Sequence, residues 1–177
     1  MRALLIAVVL VAAPAPLLAQ EAEDDLTLPP VVMSTEFPGE IEVEPYERSN
    51  ANAGATPFEG TEMWETFGGA DGVSAIVETF VDRIVADPRI AEIFVAQDLV
   101  RTRRTLKEQF GYILGGPVAY SGRDMRSSHA DLGIQSADMG ALVENLQIAM
   151  SEHGVPFRAQ NRFLAKLAPM RRDVVTR

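Results

Sequence analysis

Four stretches of the chain carry apolar residues at helical spacing. Val73, Ile76, Val77, Phe80, Val81 and Ile84 recur at steps of three and four, which puts them on one helix face with Asp71 as the expected N-cap. "ADPRIAEIF" follows, and its Pro88 ends that helix or opens a short new one. Leu106, Phe110, Ile113 and Leu114 mark a helix that starts near Leu99 and stops at Gly115-Gly116-Pro117. Met139, Leu142, Val143, Leu146, Ala149 and Met150 form the next stripe, with Ser136 as the expected N-cap and Gly154 at its end. Phe163, Leu164, Leu167 and Met170 mark the last helix. Apolar and polar residues alternate nowhere over a useful length, so no strand is assigned. The pattern predicts an all-α domain over residues 61–177. Its one long connection, 118–134, holds at most a short helix, and connections of that length inside compact domains are often functional.

The N-terminal third reads differently. Residues 1–19, "MRALLIAVVLVAAPAPLLA", place an arginine before an apolar run and end in small residues. That order and length match a secretory signal peptide, with cleavage expected after Ala19 or Gln20. The run is short for a bilayer span. The expected mature protein is exported, periplasmic in a Gram-negative cell, and free of the membrane after cleavage. Residues 20–60 then hold ten acidic side chains, one basic residue (Arg48) and five prolines. The formal net charge of the chain is -9; this segment contributes -9, residues 1–19 contribute +1 through Arg2, and residues 61–177 only -1. Self-repulsion and proline predict an extended, disordered linker. The acidity also argues against nucleic acid as a partner.

The 177-residue chain contains no cysteine and two histidines, His129 and His153. Disulfides, thiolate metal sites, a cysteine nucleophile and covalent haem attachment through C-x-x-C-H are therefore excluded. His129 stands in "MRSSHADLGI", at the end of the irregular connection. One histidine does not hold a bare zinc ion, which takes three or four side-chain ligands, and Asp124 and Asp131 do not provide a standard spacing. One histidine suffices when a macrocycle supplies the other ligands, provided an apolar slot is present. Phe80, Phe94, Leu106, Phe110, Met125, Ile134, Met139, Leu142 and Leu146 are the candidate lining of such a slot; each on its own is equally a core residue.

"GGADGVSAIVETFVDRIVADPRIAEIF" and "LGGPVAYSGRDMRSSHADLGI" resemble the truncated haemoglobins, most closely group I. The resemblance runs from about Trp64 to Val175. It rests on Gly68-Gly69, Phe80, "ADPR", Phe94, Gly115-Gly116-Pro117, "YSGRDM", His129 and Gly133-Ile134. It implies a two-over-two helical sandwich around non-covalent haem b, with His129 as the proximal iron ligand and Phe94 against the porphyrin face. It also implies that Trp64 belongs to a shortened first helix, and that Gly115-Gly116 lets the chain leave the distal helix sharply.

The distal side departs from the family. A tyrosine that donates to the gas ligand often follows the phenylalanine at position 80, and here Val81 stands there. A glutamine often occupies the place of Leu106, and Thr102 holds the place of the traditional distal residue. Gln109 and Tyr112 are the remaining polar candidates on that helix. This pattern predicts an apolar distal wall and weak retention of dioxygen. His153, beside Gly154 at a helix end, is read as a helix-terminal residue that favours the dipole rather than as a second iron ligand. Arg101, Arg103, Arg104 and Lys107, and equally Arg123 and Arg126, are candidate partners for haem propionates. The implied function is the binding of a diatomic gas, O2, NO or CO. Two alternatives stay open: a haem-dependent redox enzyme (an NO dioxygenase or a peroxidase-like protein) served by an external reductase, since no flavin or nicotinamide fingerprint is present, and a haem-free helical interaction module. The sequence leaves the oligomeric state undetermined.

Overall fold

Helix α2, Gly69–Ala86, buries the whole stripe read from the sequence, Val73, Ile76, Val77, Phe80, Val81 and Ile84. In the computed structural model, which describes residues 31–176, this helix packs on both α3 (Leu99–Ile113) and α5 (Ser136–Glu152). Helix α6, Phe157–Leu167, lies against α5, so α2/α3 and α5/α6 form two layers. A short α1, Glu62–Thr66, precedes α2, and α4 (Met125–His129) and α7 (Arg171–Val174) complete the fold. The aromatic rings stitch the layers together. Phe163 of α6 meets Phe67 and Phe110 edge-on at 5.3 and 5.0 Å, and Phe110 stacks on Phe80 at 6.4 Å. Edge-to-face pairs at these distances add stabilisation beyond their buried area. The two-over-two all-α fold is as expected. None of the helices among the described residues is long and apolar enough to cross a membrane.

The helix ends show where sequence signals were displaced. Helix α2 begins two residues before the expected cap: Gly68, in the left-handed region at φ 81°, is the N-cap and Asp71 falls in the first turn. Helix α5 is capped by Gln135 rather than Ser136, in a capping box with Asp138, whose carboxylate accepts from the Gln135 N–H at 2.8 Å. Helix α3 starts at Leu99 behind Asp98, whose carboxylate accepts the Arg101 N–H at 3.0 Å. Its exit uses both glycines. Gly115 sits at φ 84°, and a Cβ on Gly116 would lie 2.6 Å from the Trp64 ring.

Asn145, in the buried face of α5, is 4% exposed and donates to Asp87 Oδ2 at 2.7 Å and to the Ala141 carbonyl at 3.0 Å. Together with the Arg89 side chain and backbone, it holds the Asp87 carboxyl well below the usual range and so fixes the corner after α2. Asn145→Ala removes a hydrogen bond to a charged group and is expected to lower stability by about 1–2 kcal/mol. A denaturant midpoint unchanged from wild type would contradict this role.

Residues 31–60 do not match the expected disordered linker. Met33 and Ile41 form an antiparallel bridge, Asn50–Ala53 make one 3-10 turn, and Ala53 is fully buried. The acidic charge is answered by cations elsewhere in the chain: Glu40, 1% exposed, lies on Arg101 and Arg104 of α3. Counting charge within the segment missed partners sixty residues away. The expected signal peptide and residues 20–30 lie outside the described residues.

Candidate functional site

The irregular connection ends in α4, a single capped turn. Asp124 opens it, taking the Ser127 N–H at 3.0 Å and the Ser127 hydroxyl at 2.6 Å, contacts that keep its carboxyl below the ordinary range. Arg126 ties the turn to α7 through Asp173 at 2.8 Å. His129 is its last residue. Its Nδ1–H donates to the Met125 carbonyl one turn back, at 2.7 Å. A carbonyl only accepts, so the proton is on Nδ1 and the lone pair is on Nε2. Burial pushes the imidazole below its ordinary pKa, with the Met125 carbonyl opposing, so the ring is neutral at neutral pH. A backbone acceptor that fixes the tautomer is the usual support of a metal-binding histidine. Among the described residues, no three His, Asp or Glu side chains converge on a point where a bare ion would be held.

His129 borders a cavity of about 450 Å³. Helix α2 contributes Phe80, the turn after it Phe94, and α3 contributes Thr102, Leu106, Gln109 and Phe110. Met125 comes from α4, Ile134 from the following turn, and Met139 and Leu142 from α5. Eleven of the thirteen residues singled out in the sequence therefore meet here. The two exceptions are Val81 and Leu146, at 0% and 2% exposure. They belong to the packed core and do not line the cavity. A more open groove of about 550 Å³, lined by Trp64, Val73, Lys107 and neighbours, contains no histidine.

The uncharged polar side chains that α3 brings to the cavity are committed elsewhere. The Thr102 hydroxyl donates to the Asp98 carbonyl and the Thr105 hydroxyl to the Arg101 carbonyl, each at 2.9 Å. The Gln109 amide donates to the Ala53 carbonyl at 2.9 Å and lies 3.3 Å from the Met125 sulfur, on the side of the histidine's own helix. Tyr112 is outside the lining. Gln97, at the rim, is exposed. Of the cations proposed for propionates, Arg103 and Lys107 pair with Glu78 at 2.5 Å, Arg104 with Glu40 and Glu108, and Arg126 with Asp173. Arg101 and Arg123 line the cavity, Arg101 paired with Glu40 at 3.1 Å and Arg123 donating to the Glu44 carbonyl at 3.1 Å. His153 lies away from the cavity, 2.8 Å from the Thr79 hydroxyl at the end of α5.

Sequence reasoning missed Val43, Tyr46 and Tyr120, which also line the cavity. Tyr120 is buried, its hydroxyl donates to the Arg123 carbonyl at 3.0 Å, and burial raises its pKa. The alternation in Glu40-Ile41-Glu42-Val43-Glu44 was the available signal for Val43; Tyr46 lies beyond it and out of phase.

The family model described as bacterial-like globin matches residues 62–176. The chain belongs to that family. It is similar to the group 1 truncated haemoglobin of Mycolicibacterium paratuberculosis, 28% identical over 118 residues that cover 67% of this chain and 87% of the relative. The group 1 truncated haemoglobin of a Synechocystis strain is 33% identical over 53% of this chain and 79% of its own length. Among solved structures, the Fe(III) form of truncated haemoglobin from Tetrahymena pyriformis superposes with a TM-score of 0.62 at 26% identity. That match covers 65% of this chain and 98% of that one. The two-over-two globin fold is thus the fold of this chain, and residues 31–60 precede the matched region.

Haem is the group this family implies, and the residues present fit it. There is one neutral imidazole with a free Nε2, a lining of aromatic and branched side chains, and a volume within the usual cofactor range of about 300–1,000 Å³. Of the cations on the wall, Arg101 is already paired with Glu40, and Arg123, which donates to the neutral Glu44 carbonyl, is the one whose charge no carboxylate among the described residues answers.

Proposed function

We propose that this chain is an exported haem protein that binds a diatomic gas and retains dioxygen weakly. His129 holds non-covalent haem b through Nε2, and the haem iron supplies the site for the gas. The observation that carries the reading is the His129 Nδ1–Met125 carbonyl bond, which leaves a neutral, correctly protonated imidazole at the edge of an apolar cavity. Phe80, Phe94, Leu106 and Leu142 give that cavity apolar walls. The weak retention follows from the committed hydroxyls of Thr102 and Thr105 and the committed amide of Gln109. A polarised gas ligand finds no spare donor among these three, whereas CO and NO depend on such a donor less. Export is supported by the leader-like residues 1–19.

Stopped-flow displacement of O2 by CO from the ferrous protein tests the ligand preference. The expected release is about 10- to 100-fold faster than from relatives with a tyrosine or glutamine donor, the equivalent of 1.5–3 kcal/mol. Release as slow as theirs would contradict the apolar distal wall.

A further inference from the structure

We propose that residues 31–60 are a working part of the haem site: Glu40 latches the segment to α3, and Tyr46 closes one edge of the cavity. This inference rests on the haem reading above. The segment lies outside the family-matched region.

Glu40 is the latch. Among the described residues it is the one acidic side chain of the buried polar set, and its carboxylate takes Arg101 Nε at 3.1 Å and Arg104 Nη2 at 3.0 Å, with a second contact from Arg104 Nε. A carboxylate is buried this deeply only when it is paired, and removing its charge leaves two guanidiniums facing each other. The next residue reinforces the attachment. The Ile41 N–H donates to Asp98 Oδ2 at 2.8 Å, so the residue that caps α3 also binds the segment. Phe37 lies under the Arg104 guanidinium at 3.7 Å, a cation–π contact.

Beyond the latch the segment enters the cavity wall. Val43 and Tyr46 line it, and the Tyr46 hydroxyl donates to the Ser121 carbonyl at 3.0 Å. Tyr46 therefore closes the edge with its ring rather than by donating to a ligand. Arg123 donates to the Glu44 carbonyl at 3.1 Å and stands 5.1 Å from the Tyr46 ring. Further on, Ala53 accepts from Gln109 and Asn50 accepts the Tyr120 N–H at 2.8 Å. The segment thus bridges α3 and the loop that leads to α4. In a chain with no cysteine to anchor haem covalently, such a strap slows both haem escape and gas entry.

Full-length wild type, Glu40→Gln, Tyr46→Ala and Tyr46→Phe, each loaded with haem, are compared by transfer of haem to excess apomyoglobin. Transfer is expected to be about tenfold faster for Glu40→Gln and Tyr46→Ala, the size of one charge-assisted contact. Tyr46→Phe, which keeps the ring, should stay close to wild type. Hydrogen exchange on the haem-free chain supplies a second readout: in Glu40→Gln the amides of Ser34, Ile41 and Glu42 should exchange faster while those of α2 and α5 are unchanged. Equal transfer rates in all four loaded proteins would overturn the strap and leave the haem reading standing. Uniformly faster exchange along the chain, or no change at residues 34–42, would overturn the latch. A wild type that takes up no haem overturns the haem reading, and exchange then decides the latch alone. If Glu40→Gln does not fold, the two Tyr46 variants carry the comparison.

Discussion

Replacing His129 with glycine is expected to abolish tight haem binding, and added imidazole should restore it. Among the described residues the imidazole is the only histidine at the cavity, so on the proposed reading the substitution removes the one bond between protein and iron. The lower bound on its effect comes from metal sites in general. Losing merely an outer-shell partner of a ligating histidine costs about 10–100-fold in metal affinity, so losing the ligand itself should cost more than about 100-fold. A glycine in a helical turn lowers stability by only about 1 kcal/mol, too little to mimic that loss through unfolding. Imidazole rescue separates the two causes, because it refills the ligand position without repairing the helix. The check is a haemin titration followed at the Soret band, with and without imidazole. Affinity equal to wild type in His129→Gly would show that packing alone holds the haem, or that another residue ligates it.

Leu106→Gln should slow dioxygen release by roughly 10- to 100-fold. Leu106 lines the cavity from α3, one turn beyond Thr102, whose own hydroxyl is turned back to the Asp98 carbonyl. A glutamine at 106 places an uncommitted amide donor on a wall where the Thr102 and Thr105 hydroxyls and the Gln109 amide are already committed. One such hydrogen bond to a partly charged ligand is worth about 1.5–3 kcal/mol, and each 1.4 kcal/mol is a decade in rate when it falls on the bound state. Carbon monoxide release should change far less, since its complex is less polar. The ratio of the two off-rates is therefore the sharper reading. An O2 off-rate that does not move, from an initially slow value, would mean that another donor already serves the ligand.

The helices were legible because each carries a continuous apolar stripe, and the stripes of α2, α3 and α5 are what the core buries. The cavity was legible for the same reason, as most of its lining lies on those stripes. Val81 and Leu146 mark the limit of that logic. A stripe is wider than a cavity wall, and periodicity does not say which of its residues face a cofactor and which face the opposite layer. The caps at Gly68 and Gln135 were missed because position relative to the stripe fixes a helix start only to within a turn. The greatest departure was residues 31–60. Their charge and prolines describe a segment with no core of its own, which is correct, but Glu40, Val43 and Tyr46 are stabilised by residues that only the folded chain brings near: Arg101, Arg104, Ser121 and Arg123. Long-range compensation of this kind leaves no local trace beyond the short alternation around Ile41.

Everything functional depends on Nε2 of His129 bonding a haem iron. Resonance Raman spectroscopy of the ferrous, ligand-free protein tests this most directly. The prediction is a five-coordinate high-spin haem with an iron–histidine stretching band that disappears in His129→Gly. A spectrum without that band, or one identical in the variant, would contradict it.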